Sequence, residues 1–268
     1  MGWVDFHTHA FPDFLAPRAI PLLEEKGGIK AKLDGKISSL LKSMDEAGIE
    51  ISVVCSIATR PEQFTSILGW SKDIRSPRII PLPSFHPQDK EVKEKIEIIK
   101  KEGFKGIKLH PYYQDFYVDE EHMFPIYEKI EEEGLLLVLH TGFDFAFPRE
   151  RRADPEKILK VCKKFPSLKL ITTHLGGWED WEEVACHLLG KEIYMETSFS
   201  LKYLGREKVK EFLLKHPSDY LLFGTDSPWS DQKEEVEEIS KLELPQKIFR
   251  KIMGENALKL LQITPSPS

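Results

Sequence analysis

His7 and His9 stand one residue apart at the end of the first apolar run, Trp3-Val4-Asp5-Phe6-His7-Thr8-His9. Strand side chains alternate faces, so positions i and i+2 point the same way. Two neighbouring imidazoles at a strand end fill a core poorly and supply half of a metal site. Three later apolar runs each close on a single ligand-type residue: His140 after Leu135–Leu139, His174 after Leu170–Thr173, and Asp226 after Leu221–Thr225. Taken singly, each histidine reads as a hydrogen-bonded core or rim residue. Repeated in one polarity, the endings imply a ring of strand tips aimed at one ion. Imidazole and carboxylate donors suit zinc, and equally iron, manganese or nickel; no thiolate spacing narrows the choice. A catalytic ion keeps a position open for water or substrate, so three or four protein donors are the right supply.

Those endings need a scaffold that points many strand tips one way. Strand candidates fall at Trp3–Phe6, Ile51–Ile57, Ile79–Phe85, Gly106–Leu109, Leu135–Leu139, Leu168–Thr173, Ile193–Thr197 and Leu221–Gly224. They are short and continuously apolar, as strands buried on both faces should be. Between them lie amphipathic, charge-laced stretches at Ile37–Ala47, Glu91–Lys101, Met123–Glu133, Pro155–Lys164, Trp178–Leu189, Glu207–Lys215 and Lys233–Leu242, with one or two closing helices over Gln246–Gln262. Gly48, Gly103 and Gly134 stop three of these, where a helix C-cap is expected before the next strand. Strand–helix alternation over 268 residues, near the ~250 typical of the class, predicts an α/β chain folded as a (β/α)8 TIM barrel. The expected organisation is a single domain over residues 1–264 with a frayed tail at 265–268. A doubly wound open sheet is the rival, weakened because no glycine-rich phosphate loop follows the first strand. In a barrel the active site lies at the strand C-terminal ends, where all of the metal-type residues fall.

Composition narrows the function classes. Net charge is −6 with no basic face or tail, so no electrostatic footprint for nucleic acid is present. No apolar stretch reaches the ~18 residues of a membrane helix, and the first strand opens without a signal-like segment. The cysteines, Cys55, Cys162 and Cys186, are odd in number and far apart, which points to a reducing cytoplasm rather than a disulfide framework. A single asparagine, Asn256, among abundant Lys and Glu leans toward a heat-adapted source. The expected partner is a small-molecule substrate, with neither nucleic acid nor membrane; a homo-oligomer is left open.

Several motifs together resemble a known family. His7-Thr-His9 after strand one, His140 after strand five, His-Leu-Gly-Gly at His174–Gly177 after strand six, and Gly-Thr-Asp-Ser-Pro at Gly224–Pro228 resemble the amidohydrolase superfamily. The closest branch is the amidohydrolase-2 group, which contains aminocarboxymuconate-semialdehyde decarboxylase-like enzymes and small lactonases. Gly106–Pro111, Gly254–Ala257 and the long first loop Ala10–Ala31 are similar to that branch too. The resemblance implies that His7, His9 and His140 bind one divalent ion, zinc being the expected one, with Asp226 as fourth ligand or water-contacting base. It implies His174 as a non-ligand general base or substrate polariser; in binuclear relatives that histidine would be a second-metal ligand. A strand-four lysine in binuclear members becomes a carbamate bridging two ions, and Lys108 stands at such a tip. Its plainer reading, an ammonium paired with a carboxylate or an anionic substrate, fits the mononuclear branch, so a second ion is expected only if Lys108 is carbamylated.

His110, two residues past Lys108, shares its face and is a substrate-pocket candidate. Glu196 and His86 also sit near strand ends. Loops after strands four and five carry Tyr112, Tyr113, Phe116, Tyr117, Phe143, Phe145, Phe147, Arg149, Arg151 and Arg152, and Trp229 follows Asp226. Aromatic walls with a few cations suit a small organic acid, which puts Lys108, His110, Arg149 and Trp229 forward as substrate contacts. The alternative is a self-packed lid with a solvated Arg cluster. The expected activity is hydrolysis of a lactone or amide-type bond, with metal-activated water attacking a carbonyl. A metal-dependent decarboxylase of an unsaturated or aromatic acid is the first rival. A metal phosphoesterase or DNase ranks lower, since that type usually places a glutamate where Lys108 stands, and a non-catalytic barrel ranks lower still.

Overall fold

In the computed structural model, which describes residues 2–264, eight short parallel strands form the wall of a barrel. The expected frayed tail, Pro265–Ser268, lies outside the described residues. The strands are β1 (Trp3–Thr8), β2 (Ile49–Cys55), β3 (Ile79–Leu82), β4 (Gly106–Leu109), β5 (Leu136–Leu139), β6 (Lys169–Thr172), β7 (Tyr194–Glu196) and β8 (Leu221–Leu222). Full ladders join β1-β2-β3 and β4-β5-β6-β7-β8. Backbone hydrogen bonds close the two seams, among them Lys108 N to Pro83 O at 3.1 Å and Phe6 N to Phe223 O at 2.8 Å.

The helices are α1 (Ala16–Gly27), α2 (Ile37–Ala47), α3 (Phe64–Ile74), α4 (Val92–Lys101), α5 (Phe124–Glu132), α6 (Pro155–Lys164), α7 (Trp181–His187), α8 (Ser200–Tyr203), α9 (Arg206–Lys215), α10 (Gln232–Ser240), α11 (Gln246–Arg250) and α12 (Asn256–Leu261). Local chemistry sets several ends. Asp154 and Asp231 accept from the backbone N–H three residues on and so cap α6 and α10. Gly48, at φ 71°, ends α2 in the left-handed conformation that costs glycine least. Three helices escape a reading by periodicity: α1, inside what reads as a long first loop, α3, and the single-turn α8. Pro17 and Pro21 obscure α1 as helix breakers, although Pro17 sits in its first turn. No described helix is long and apolar enough to cross a membrane.

The two faces of the wall bury different sets. Val4, Phe6, Ile51, Val53, Leu82, Leu136, Val138, Ile171 and Leu222 form one buried cluster with Ala257, Leu258 and Leu261 of α12. Ile107, Leu109, Leu137, Leu139, Leu170 and Met195 instead pack with Ile96, Ile130, Ile158, Val184 and other helix residues. This double burial explains the continuously apolar strands.

Candidate active site

The strand tips carry the chemistry, and small backbone irregularities aim it. The β1–β2 register shifts between Asp5 and Thr8. A bulge of this kind re-aims the side chains that follow it, and His7 reaches Lys108 of β4 across the barrel. Beyond β8 the chain pairs back onto β1: Asp226 N donates to His7 O at 2.7 Å and His9 N to Ser227 O at 2.5 Å. Asp226 adopts φ 62°, His174 57°, Leu175 49° and Phe199 57°. Non-glycine residues in that region carry a backbone cost and cluster where a site needs them.

His7, His9 and Asp226 bring one donor atom each within 4.8 Å of one another. The His7 and His9 Nε2 atoms are 3.1 Å apart, and Asp226 Oδ1 lies 3.0 Å from His9 Nε2 and 3.5 Å from His7 Nε2. The outer nitrogens decide the protons. His9 Nδ1 sits 2.8 Å from Cys55 O, a group that can only accept, so Nδ1 carries the hydrogen. His7 Nδ1 is 3.1 Å from Glu196 Oε1 and is held the same way. Two imidazole lone pairs and a carboxylate oxygen therefore face each other, and buried Asp226 Oδ1 has no hydrogen-bond partner among the described residues. Their donor atoms converge on one point, so the residues fit a divalent ion bound through His7, His9 and Asp226. Burial, followed by the nearby Lys108 charge, pushes His7 well below its ordinary value, which keeps it in the neutral ligand form. Burial opposes ionisation of Asp226, but His7 and His9 outweigh it and hold the carboxyl well below the usual range.

Glu196 organises this floor. Fully buried, it accepts from His174 N at 3.0 Å, Ser198 N at 2.6 Å and Ser198 Oγ at 2.7 Å as well as from His7. Gly224 packs against it: a Cβ there would collide with the Glu196 carboxylate and approach His7 Cβ to 3.1 Å. Lys108, also fully buried, places Nζ 3.3 Å from His7 Nε2 as an ammonium-type donor. Burial pulls its pKa down, against the pull of Cys55, Asp226 and Glu196.

The structure does not gather all of the sequence candidates into one group. His140, expected as third ligand, lies with a neighbouring group of donors and not within the His7–His9–Asp226 set. Its Nε2 lies 2.9 Å from Phe143 O, so the remaining lone pair, on Nδ1, faces His174 Nε2 at 3.2 Å. It belongs to a second close group with His110 and Asp144. The His110 and His140 rings stack at 4.1 Å, with Asp144 Oδ2 3.4 Å from His110 Nε2. Asp144 escaped the sequence reading, although His140, Gly142 and Asp144 continue a period of two. His174 sits between the groups, its ring 5.7 Å from His7 and 5.0 Å from His140, and Trp178 and Phe199 border it. Arg149 is not brought inward: its side chain is 61% exposed, paired with Glu179 and laid over the Phe143 ring. Trp229, anchored by its backbone N–H to Asp226 O at 3.0 Å, lines a cavity together with Phe199 and Tyr203.

Comparison with known proteins places the whole chain. A dihydroorotase from Azotobacter vinelandii is 31% identical over 108 residues, 37% of this chain and 31% of that protein, so the matched stretch spans about a third of its length. Three solved structures share the fold. A TIM-barrel protein from Bordetella bronchiseptica superposes with TM-score 0.75 at 21% identity, covering 98% of this chain and 99% of the other. The 5-carboxyvanillate decarboxylase of Sphingomonas paucimobilis gives 0.72 at 15% identity, with 98% and 99% covered. The 2,6-dihydroxybenzoate decarboxylase of Rhizobium gives 0.69 at 17% identity, with 98% and 99% covered. The amidohydrolase family model matches residues 4–263. With a closed (β/α)8 barrel and its histidine-rich strand tips inside that match, the chain belongs to the amidohydrolase family.

Proposed function

We propose that this protein is a metal-dependent hydrolase that opens a lactone or amide-type bond in a small metabolite. The observation that carries the reading is the pair of His Nε2 atoms facing an ionised Asp226 Oδ1 that has no hydrogen-bond partner among the described residues. A divalent ion held there would supply Lewis acidity, making water a better nucleophile and polarising a carbonyl. Asp226, ionised at any working pH, accepts the proton from the attacking water and returns it to the leaving oxygen or nitrogen. His174, neutral because burial pulls its pKa down, hydrogen-bonds the carbonyl side of the substrate. Glu196 fixes the His7 ring, and Lys108 and His110 offer contacts to a substrate anion. One ion is proposed. Zinc suits the donors; manganese is bound in a 5-carboxyvanillate decarboxylase of the same fold from Novosphingobium aromaticivorans.

A second reading, decarboxylation of an aromatic or unsaturated acid, is favoured by the buried Trp178 and Phe199 rings beside His174 and by the decarboxylases among similar folds. Elemental analysis followed by assays of lactones, cyclic amides and carboxylated aromatics separates the two. Uptake of one water per turnover supports hydrolysis. Carbon dioxide release from an aromatic acid, with no turnover of any lactone or amide, overturns it.

A further inference from the structure

Asp5 is fully buried in β1, between the apolar Val4 and Phe6, and four neutral donors hold its carboxylate. Oδ1 accepts from His7 N at 3.2 Å and Thr225 N at 3.0 Å. Oδ2 accepts from Thr225 Oγ1 at 2.6 Å and from Gln232 Nε2 of α10 at 2.8 Å. Three of these bonds come from the two segments that carry His7 and Asp226. Thr225 Oγ1, its hydrogen given to Asp5, accepts in turn from Ser227 N at 3.1 Å. Thr225 and Ser227 flank Asp226, which adopts φ 62° and donates its N–H to His7 O at 2.7 Å. A non-glycine residue keeps that conformation only where its surroundings over-determine it. Thr225 lies past the end of β8, so these bonds shape the turn that carries Asp226 rather than the ladder of the barrel wall. A carboxylate this deep costs stability unless its oxygens are satisfied, and here the backbone around the ion's donors satisfies them.

We propose that Asp5 is a positioning residue for the ion. Through Thr225 it fixes the turn that aims Asp226, and through the His7 amide it locks that turn to the tip of β1. The inference rests on the reading of His7, His9 and Asp226 as the ion's donors. Asp5 acts only through the residues it holds, and a partner behind the donors is worth about 10- to 100-fold in metal affinity. Breaking the Asp5–Thr225 connection therefore costs ion affinity beyond any cost to the fold, because the turn can relax and Asp226 no longer meets His7 and His9 at one point.

Cobalt(II) chloride is the probe, because its visible absorption reports the geometry of the donors as well as occupancy. Titrated into the chelator-treated full chain, Thr225→Val should bind cobalt about tenfold more weakly than the wild type and show an altered visible spectrum at saturation. Thr225→Ser restores the hydroxyl and should bind within about twofold of the wild type, with its spectrum. Asp5→Val should lose as much as Thr225→Val, and the double variant no more than about twofold beyond either, because both break one connection. If Asp5→Val fails to fold, the two Thr225 variants, which keep Asp5, decide the matter. Ile96→Val, in the buried core of α4, should lower the melting temperature and leave cobalt affinity and spectrum unchanged, which separates positioning from stability. Wild-type affinity and spectrum in Thr225→Val, or an equal loss of affinity in Ile96→Val, overturns this inference and leaves the donor reading standing. Cobalt bound as tightly by His9→Ala as by the wild type overturns both.

Discussion

Two residues show how neighbours, more than residue type, set behaviour. Gly224 has an ordinary backbone conformation, so its need for glycine is steric: Glu196 and His7 occupy the space a methyl would take. Gly224→Ala should destabilise the fold by about 2 kcal/mol and weaken metal binding about tenfold, because Glu196 can no longer hold the His7 ring. Metal titration beside a melting curve checks both effects. Glu235 offers a pH test. Its folded-state pKa of about 8 lies above the ordinary 4.5, so the native state holds the proton longer than the unfolded chain. Stability from this group is therefore present at low pH and is lost as pH rises from about 4.5 to 8. Between pH 5 and 8 the wild type should lose stability relative to Glu235→Gln by a few kcal/mol, on the order of 1.4 kcal/mol per pH unit. Parallel pH profiles of the two proteins would sink this reading.

At the level of elements, the site is assembled by straps between loops as much as by strands. Phe143 N donates to Trp178 O at 2.9 Å and Trp178 N to Thr141 O at 2.9 Å, tying the loop after β5 to the one after β6, while Gly142 N donates to Ala153 O at 2.9 Å within the first of them. Gly142 adopts φ 84°, and a Cβ there would strike the Trp178 backbone. Gly142→Ala should cost about 3 kcal/mol and shift the Trp178 and His174 rings together, visible as a lower melting temperature and altered near-ultraviolet circular dichroism. An unchanged melting curve would mean the strap does not couple these loops.

On the scale of the whole molecule, the barrel brings donors from β1 and the segment beyond β8 together, the two ends of the sheet order. Occupation of that seam should staple the fold. At an ion concentration a hundred times the dissociation constant, the native state gains about 2.7 kcal/mol, which should raise the melting temperature by roughly 5–10 °C. His9→Ala and Asp226→Asn should remove the increment without unfolding the metal-free protein, as strand-tip residues on this face serve chemistry more than packing. An equal increment in either variant would place the ion elsewhere.

Much of this was legible along the chain. The eight strands follow from short apolar runs, because burial on both faces leaves that mark, and β4, α2 and α6 coincide residue for residue with the sequence reading. His7, His9 and Asp226 were readable as donors because each ends an apolar run in the same polarity. What escaped depends on contacts distant in sequence. A carbonyl at Phe143 claims one nitrogen of His140 and His174 meets the other, dividing one expected ring of ligands into two groups. Glu179 holds Arg149 at the surface, and Glu235 becomes noteworthy only because folding buries it without a partner. Residue type and periodicity declare which groups can do chemistry and which way strands run. Which lone pair faces which neighbour is decided only when segments far apart in sequence close on each other.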